Sequence, residues 1–179
     1  MADYKAMDIA KWFLAYNQDN PEFNDITPLK LQKLLYYAFG TYYALTERKL
    51  FDEPIVAWPH GPVVKKVYEA YRHFKSNPIS FDEVFNYDRF SQEDKDILAS
   101  VYDRFGQYSA WKLRNMTHSE DPWALTADNC TISPELIKKY FEDNYINTES
   151  VYVISNALNG KDLSEPFDSI EDFLEALNA

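Results

Sequence analysis

Glycine is nearly missing from this chain, with four residues in 179. Because glycine supplies the positive φ of tight hairpins and the close backbone approach of phosphate-binding loops, its scarcity argues for helices over a β-rich fold. No G-x-G-x-x-G, P-loop or G-x-S-x-G pattern occurs. Cysteine is reduced to Cys130 alone, which excludes an internal disulfide and fits a reducing cytoplasm. No apolar run approaches the roughly 20 residues that span a bilayer, and no basic-plus-apolar leader is present. A cytoplasmic protein with no membrane partner is therefore expected.

Positive charge is also in short supply. Lys and Arg number 18 against 29 Asp and Glu, a net charge of −11. Such a chain repels phosphate backbones, and no predicted helix carries a basic stripe, so direct binding to nucleic acid is not expected. The acid is uneven: residues 146–179 hold seven Asp/Glu and one Lys. Histidine is limited to His60, His73 and His118, with no H-E-x-x-H, C-x-x-C or H-x-x-x-H spacing, so neither a metal site nor a cofactor is expected. Carboxylate pairs such as Asp52-Glu53 and Glu120-Asp121 read as solvated loop residues. The residue types leave one catalytic alternative, a small hydrolase or transferase using His60, His118 or Cys130. The sequence around Cys130, "DNCTIS", offers it no activating neighbour, and the expected reading is a protein that is not an enzyme.

Aromatic residues, at 17 %, supply ample apolar area. Their spacing predicts a mainly α, compact multi-helix domain over residues 1–145, with at most a short β element near 55–58, followed by an acidic C-terminal extension over 146–179. Helices are expected over 6–17, from Thr27 to about Thr46, from Pro62 until Asn77-Pro78 stops it, from Ser91 to Phe105, from about Ser109 to His118, and from Ser133 onward. Thr27 reads as an N-cap, with Pro28 in the first turn, where its missing N–H costs nothing. In that helix Leu31, Leu34 and Leu35 point inward. Lys30, Gln32, Lys33, Tyr36 and Tyr37 fall off the stripe and are candidates for a tyrosine-rich partner contact; the alternative is that the tyrosines extend the core with their hydroxyls outward.

"AWPHGPVV" reads as a stiff strand-to-helix corner. Pro59 biases Trp58 toward an extended backbone, Gly61 permits angles a side chain would forbid, and Pro62 opens the next helix. His60 then has a structural role. In "THSEDPW", His118 suits a helix C-terminus, Pro122 turns the chain and Trp123 enters the core. In the extension, Ile170, Phe173, Leu174 and Leu177 recur at i, i+3, i+4, i+7, with Phe167 just before. These five are candidate partner-binding residues, because about ten residues do not hold a helix alone in water and the apolar face must dock on its own domain, a partner or a second copy.

Four stretches, "LQKLLYY", "LFDEPI", "AWPHGPVV" and "THSEDPW", together resemble the Panacea domain, the antitoxin domain of bacterial and phage toxin–antitoxin pairs, over about residues 5–143. The resemblance implies a cytoplasmic antitoxin that neutralises a cognate protein toxin, such as a toxic small alarmone synthetase or another growth inhibitor, by direct binding. SocA-type relatives imply an alternative, an adaptor that delivers the toxin to a ClpXP-type protease. A homo-oligomer is left open.

Overall fold

The computed structural model describes residues 4–21 and 26–146. In chain order its elements are α1 (Ala6–Asp19), α2 (Pro28–Thr46), β1 (Ile55–Trp58), β2 (Gly61–Val64), α3 (Lys65–Tyr71), α4 (Gln92–Phe105), α5 (Ala110–His118), α6 (Asp121–Ala124) and α7 (Pro134–Asn144). The fold is mainly α, with one small two-stranded sheet. The extension with Phe167, Ile170, Phe173, Leu174 and Leu177 lies outside the described residues.

The start signals act as the sequence implies. Side-chain oxygens of Thr27, Ser91, Ser109 and Ser133 each accept the amide hydrogen three residues on, at 3.1–3.3 Å. Gly106 closes α4, but in a right-handed conformation (φ −61) rather than the left-handed one usual for a terminal glycine. Its carbonyl oxygen instead accepts a 2.6 Å bond from Lys30 Nζ.

Helix α2 is the axis of the molecule. It is wrapped by α1, α4, α5, α7 and the hairpin, and almost every residue from Pro28 to Leu45 is buried. A helix that is apolar nearly all round belongs inside, and tight packing holds it there. A Cβ on Gly40 would overlap the ring of Phe141 on α7, so the glycine lets the two helices close on each other.

The expected strand-to-helix corner is a β-hairpin. After Trp58 the chain doubles back, and β1 pairs antiparallel with β2 in the register Ile55↔Val64 to Trp58↔Gly61. Pro59 and His60 form the turn, and Gly61 sits at φ +97, a conformation side chains rarely adopt. Pro62 thus lies in a strand and opens no helix; α3 starts at Lys65. The proline is tolerated because the bonding groups of its partner Ala57 face the other way. Ala57 N–H donates to the Cys130 carbonyl at 2.9 Å, and Ala57 O accepts from Asn129 N–H at 2.6 Å. A proline at such an outward position removes no ladder bond. β1 is therefore bonded on both sides, with Ile132 N–H donating to Ile55 O at 2.8 Å.

The outer edge of β2 faces α2, and α2 stands in for a third strand. Gln32 Oε1 accepts the Val64 N–H at 2.8 Å, and Lys33 Nζ donates to the Pro62 carbonyl at 2.9 Å. An unpaired strand edge is thereby satisfied inside the protein.

Candidate functional site

The hairpin tip rests on α5 and α6, so two distant motifs meet. The Trp123 indole N–H donates to Trp58 O at 2.9 Å. His118 lies 3.8 Å from the Trp123 ring, centroid to centroid. Its Nε2 is 2.9 Å from Pro59 O and its Nδ1 is 2.7 Å from Arg114 O. Trp58 is pinned in turn by Asn129 Oδ1, which accepts its indole N–H at 3.1 Å, and packs edge-to-face on Tyr68 at 4.9 Å. His118, Trp123, Trp58, Pro62 and Gly61 are thus the buried and half-buried joinery of one clamp. His60 is exposed at its tip.

Lys33 passes beneath this clamp. It is fully buried, and a Cβ on Gly61 would lie 2.7 Å from its Nζ and 2.8 Å from Thr117 Oγ1. Gly61 is required twice, by its backbone angle and by this close approach. Burial first, and the neighbouring Arg114 guanidinium second, bring the Lys33 pKa down to about 7.

A second buried group closes the other side of α2. Glu120 immediately precedes α6 and is 2 % exposed. Its Oε1 accepts from Tyr37 at 2.8 Å and Tyr145 at 2.6 Å. Burial raises the Glu120 pKa, and the tyrosine hydroxyls oppose that shift only in part. Burial and then the Glu120 charge hold the Tyr36 and Tyr37 hydroxyls far above the ordinary tyrosine range. Glu120 Oε2 and Tyr36 Oη, both buried, have no partner in hydrogen-bonding geometry among the described residues.

The five α2 residues read as an outward contact are therefore all internal. Lys30, Gln32 and Lys33 satisfy backbone groups of other elements, and Tyr36 and Tyr37 surround Glu120. The tyrosine hydroxyls do not point outward either. The cause is enclosure: with neighbours on every side of α2, there is no outer face on which an off-stripe residue could lie.

What reaches solvent is a group the sequence reading passed over. Trp111 on α5 is 60 % exposed. The His60 ring meets it edge-on at 6.0 Å, and the Arg114 guanidinium lies 5.9 Å from its ring centroid. Leu125, just past α6, is 71 % exposed. The signal for Trp111 was available: on α5, Leu113 and Thr117 take the inward face, and Trp111 falls on the opposite one. The Cys130 thiol makes no hydrogen bond to a histidine among the described residues, and both His118 ring nitrogens are directed at carbonyl oxygens. Among the described residues no group of three or more His, Cys, Asp or Glu is placed to hold a metal, and no helix is long and apolar enough to cross a membrane.

Residues 31–124, more than half of the chain, match the family described as antitoxin SocA-like, Panacea domain. The chain belongs to this Panacea-domain family. The matched span runs from the α2 motif that satisfies the strand edge to the α6 motif that holds the hairpin, so the Panacea signature here is a set of mutual contacts. Membership gives the chain an antitoxin-like role. No curated protein and no solved structure matches the chain.

Proposed function

We propose that the chain neutralises a cognate protein toxin by direct binding, without chemistry of its own, and that the contact is centred on His60, Trp111 and Arg114. The observation that carries the location is Trp111, a large aromatic residue exposed on α5 beside the hairpin tip. Tryptophan and arginine dominate binding hot spots because they bury much area at little cost in flexibility. The family role supports a toxin as the kind of partner, and the exposed aromatic surface supports this location for the contact.

The test is co-expression with any product of a neighbouring gene that arrests growth when expressed alone, with binding measured by calorimetry. Trp111→Ala is expected to weaken binding at least tenfold and abolish growth rescue, while thermal unfolding stays unchanged. Full rescue by that variant overturns the location. Toxin levels are expected to stay constant during rescue. Protease-dependent disappearance of the toxin would replace occlusion with delivery to a ClpXP-type protease.

A further inference from the structure

The face around Trp111 differs in charge from the rest of this acidic chain. Segments 54–64 and 105–119, which build the hairpin and α5, contain no Asp or Glu, while the whole chain has 29. Lys112 is exposed and Arg114 half-buried, and neither has a carboxylate partner among the described residues. Arg114 Nη1 donates to a neutral acceptor, Asn115 Oδ1, at 3.0 Å. Its Nε is buried without an acceptor among the described residues.

A second cation lies beneath. Lys33 Nζ bonds to the neutral Pro62 carbonyl, and Nζ and Thr117 Oγ1 both crowd the place that a Cβ on Gly61 would take. Thr117 follows Arg114 by three residues on α5, and its hydroxyl donates to the Arg114 carbonyl at 2.8 Å. The Arg114 charge is felt at Lys33, where it adds to the larger effect of burial. Two basic groups, one buried and one half-buried, therefore share this corner with no described carboxylate paired to either. A guanidinium that has lost water without gaining a carboxylate is costly, and an arriving carboxylate relieves that cost.

We infer that this face takes a side-chain carboxylate of the protein partner: an Asp or Glu seats on the Arg114 guanidinium while an apolar neighbour covers Trp111. The inference rests on the reading of Trp111 as the toxin contact and adds the chemistry of the partner's surface. Charge complementarity selects the carboxylate, because the face presents Lys112 and Arg114 and its two segments hold no acid to compete for them. The planar fork of arginine suits a carboxylate better than a point charge would. Trp111 selects a protein over a bare anion. Its exposed ring lies 5.9 Å from the Arg114 guanidinium, so only a ligand carrying both a carboxylate and apolar surface uses the two together.

The experiment needs no toxin. Two capped dipeptides, N-acetyl-leucyl-glutamate amide and N-acetyl-leucyl-glutamine amide, are titrated at constant ionic strength into the nitrogen-15-labelled full chain and followed by NMR. The glutamate peptide is expected to move the Arg114 Nε–H and Trp111 indole N–H signals along one binding curve, roughly fivefold tighter than the glutamine peptide. That comparison uses the parent protein and depends on no variant. Arg114→Lys, which keeps the charge and loses the fork, should remove most of the difference between the peptides, and Trp111→Ala should weaken both alike. The inference is overturned if neither peptide binds, if the two bind equally, or if the glutamate peptide binds and leaves the Arg114 and Trp111 signals in place. Failure here leaves toxin binding at Trp111 standing. Conversely, growth rescue that survives Trp111→Ala while the glutamate peptide binds as expected overturns the toxin contact and keeps the carboxylate site.

Discussion

At the scale of single residues, the buried ionisable groups make testable demands. The Lys33 pKa is lowered from 10.5 to about 7, so the folded protein resists a proton that the unfolded chain accepts. Above pH 10.5 both states are neutral and the group costs nothing. As pH falls toward 7 the cost grows to at most about 5 kcal/mol, at 1.36 kcal/mol per pH unit, and then levels off. Comparing Lys33→Met with the parent by chemical denaturation should therefore show the parent gaining stability, relative to the variant, between pH 7 and pH 10. A constant difference would show that Lys33 is not buried as described. Glu120 works in the opposite direction. Its raised pKa makes its contribution complete below its unfolded value and lost as pH rises through the folded one. In Glu120→Gln the amide oxygen still accepts from Tyr37 and Tyr145, and its N–H₂ gains Tyr36 as an acceptor. This variant should match or exceed the parent's melting temperature at pH 7, with the parent gaining on it as pH falls toward 5. Gly61→Ala should cost about 1–3 kcal/mol, since alanine at positive φ is strained and its Cβ also crowds Lys33 Nζ.

At the scale of elements, stability rests on how the hairpin and the helices close around α2. His118→Phe keeps the stacking on Trp123 but loses the ring-nitrogen contact to Pro59 O. The hairpin tip should then loosen, with faster amide exchange at His60 and Gly61 and little change in α4. The α2–α7 interface is tested by Gly40→Ala, which over-packs against Phe141 and should cost about 1–3 kcal/mol. Phe141→Leu in the same chain should restore part of that loss, and the absence of any coupling between the two would place the cost elsewhere. The N-caps were legible in the sequence because capping is a local transaction: Thr27, Ser91 and Ser133 each bond an amide three residues away. The hairpin was not, because Pro62 after Gly61 fits a helix start as well as a strand. What decided between them was the 129–132 segment, which bonds Ala57 from the far side and leaves Pro62 facing α2.

At the scale of the whole molecule, function is a matter of which surface is left over. The chain carries a net charge of −11 with its acid unevenly spread, yet folding gathers segments 54–64 and 105–119, which hold no Asp or Glu, into one cationic and aromatic face. Net charge reports none of this. If the toxin binds there, Lys112→Glu with Arg114→Glu should slow association and reverse the salt dependence of the rate, read by stopped-flow fluorescence. An unaltered rate would move the contact to another face.

Helix positions other than the start of α3 and the short α6, the N-caps and the family signature follow from the sequence by itself, since periodicity, capping and motif spacing act over a few residues. The fate of the polar residues on α2 was settled only by tertiary structure. Lys30, Gln32, Lys33, Tyr36 and Tyr37 look like a surface in one dimension because the groups that bury and bond them belong to other elements. The hydrogen-bond partners of Lys30, Gln32, Lys33 and Tyr37, which are Gly106, Val64, Pro62 and Glu120, lie 29 to 83 residues away. Enclosure of α2 turned a presumed binding patch into internal joinery and left Trp111, on a short helix outside it, to face the solvent.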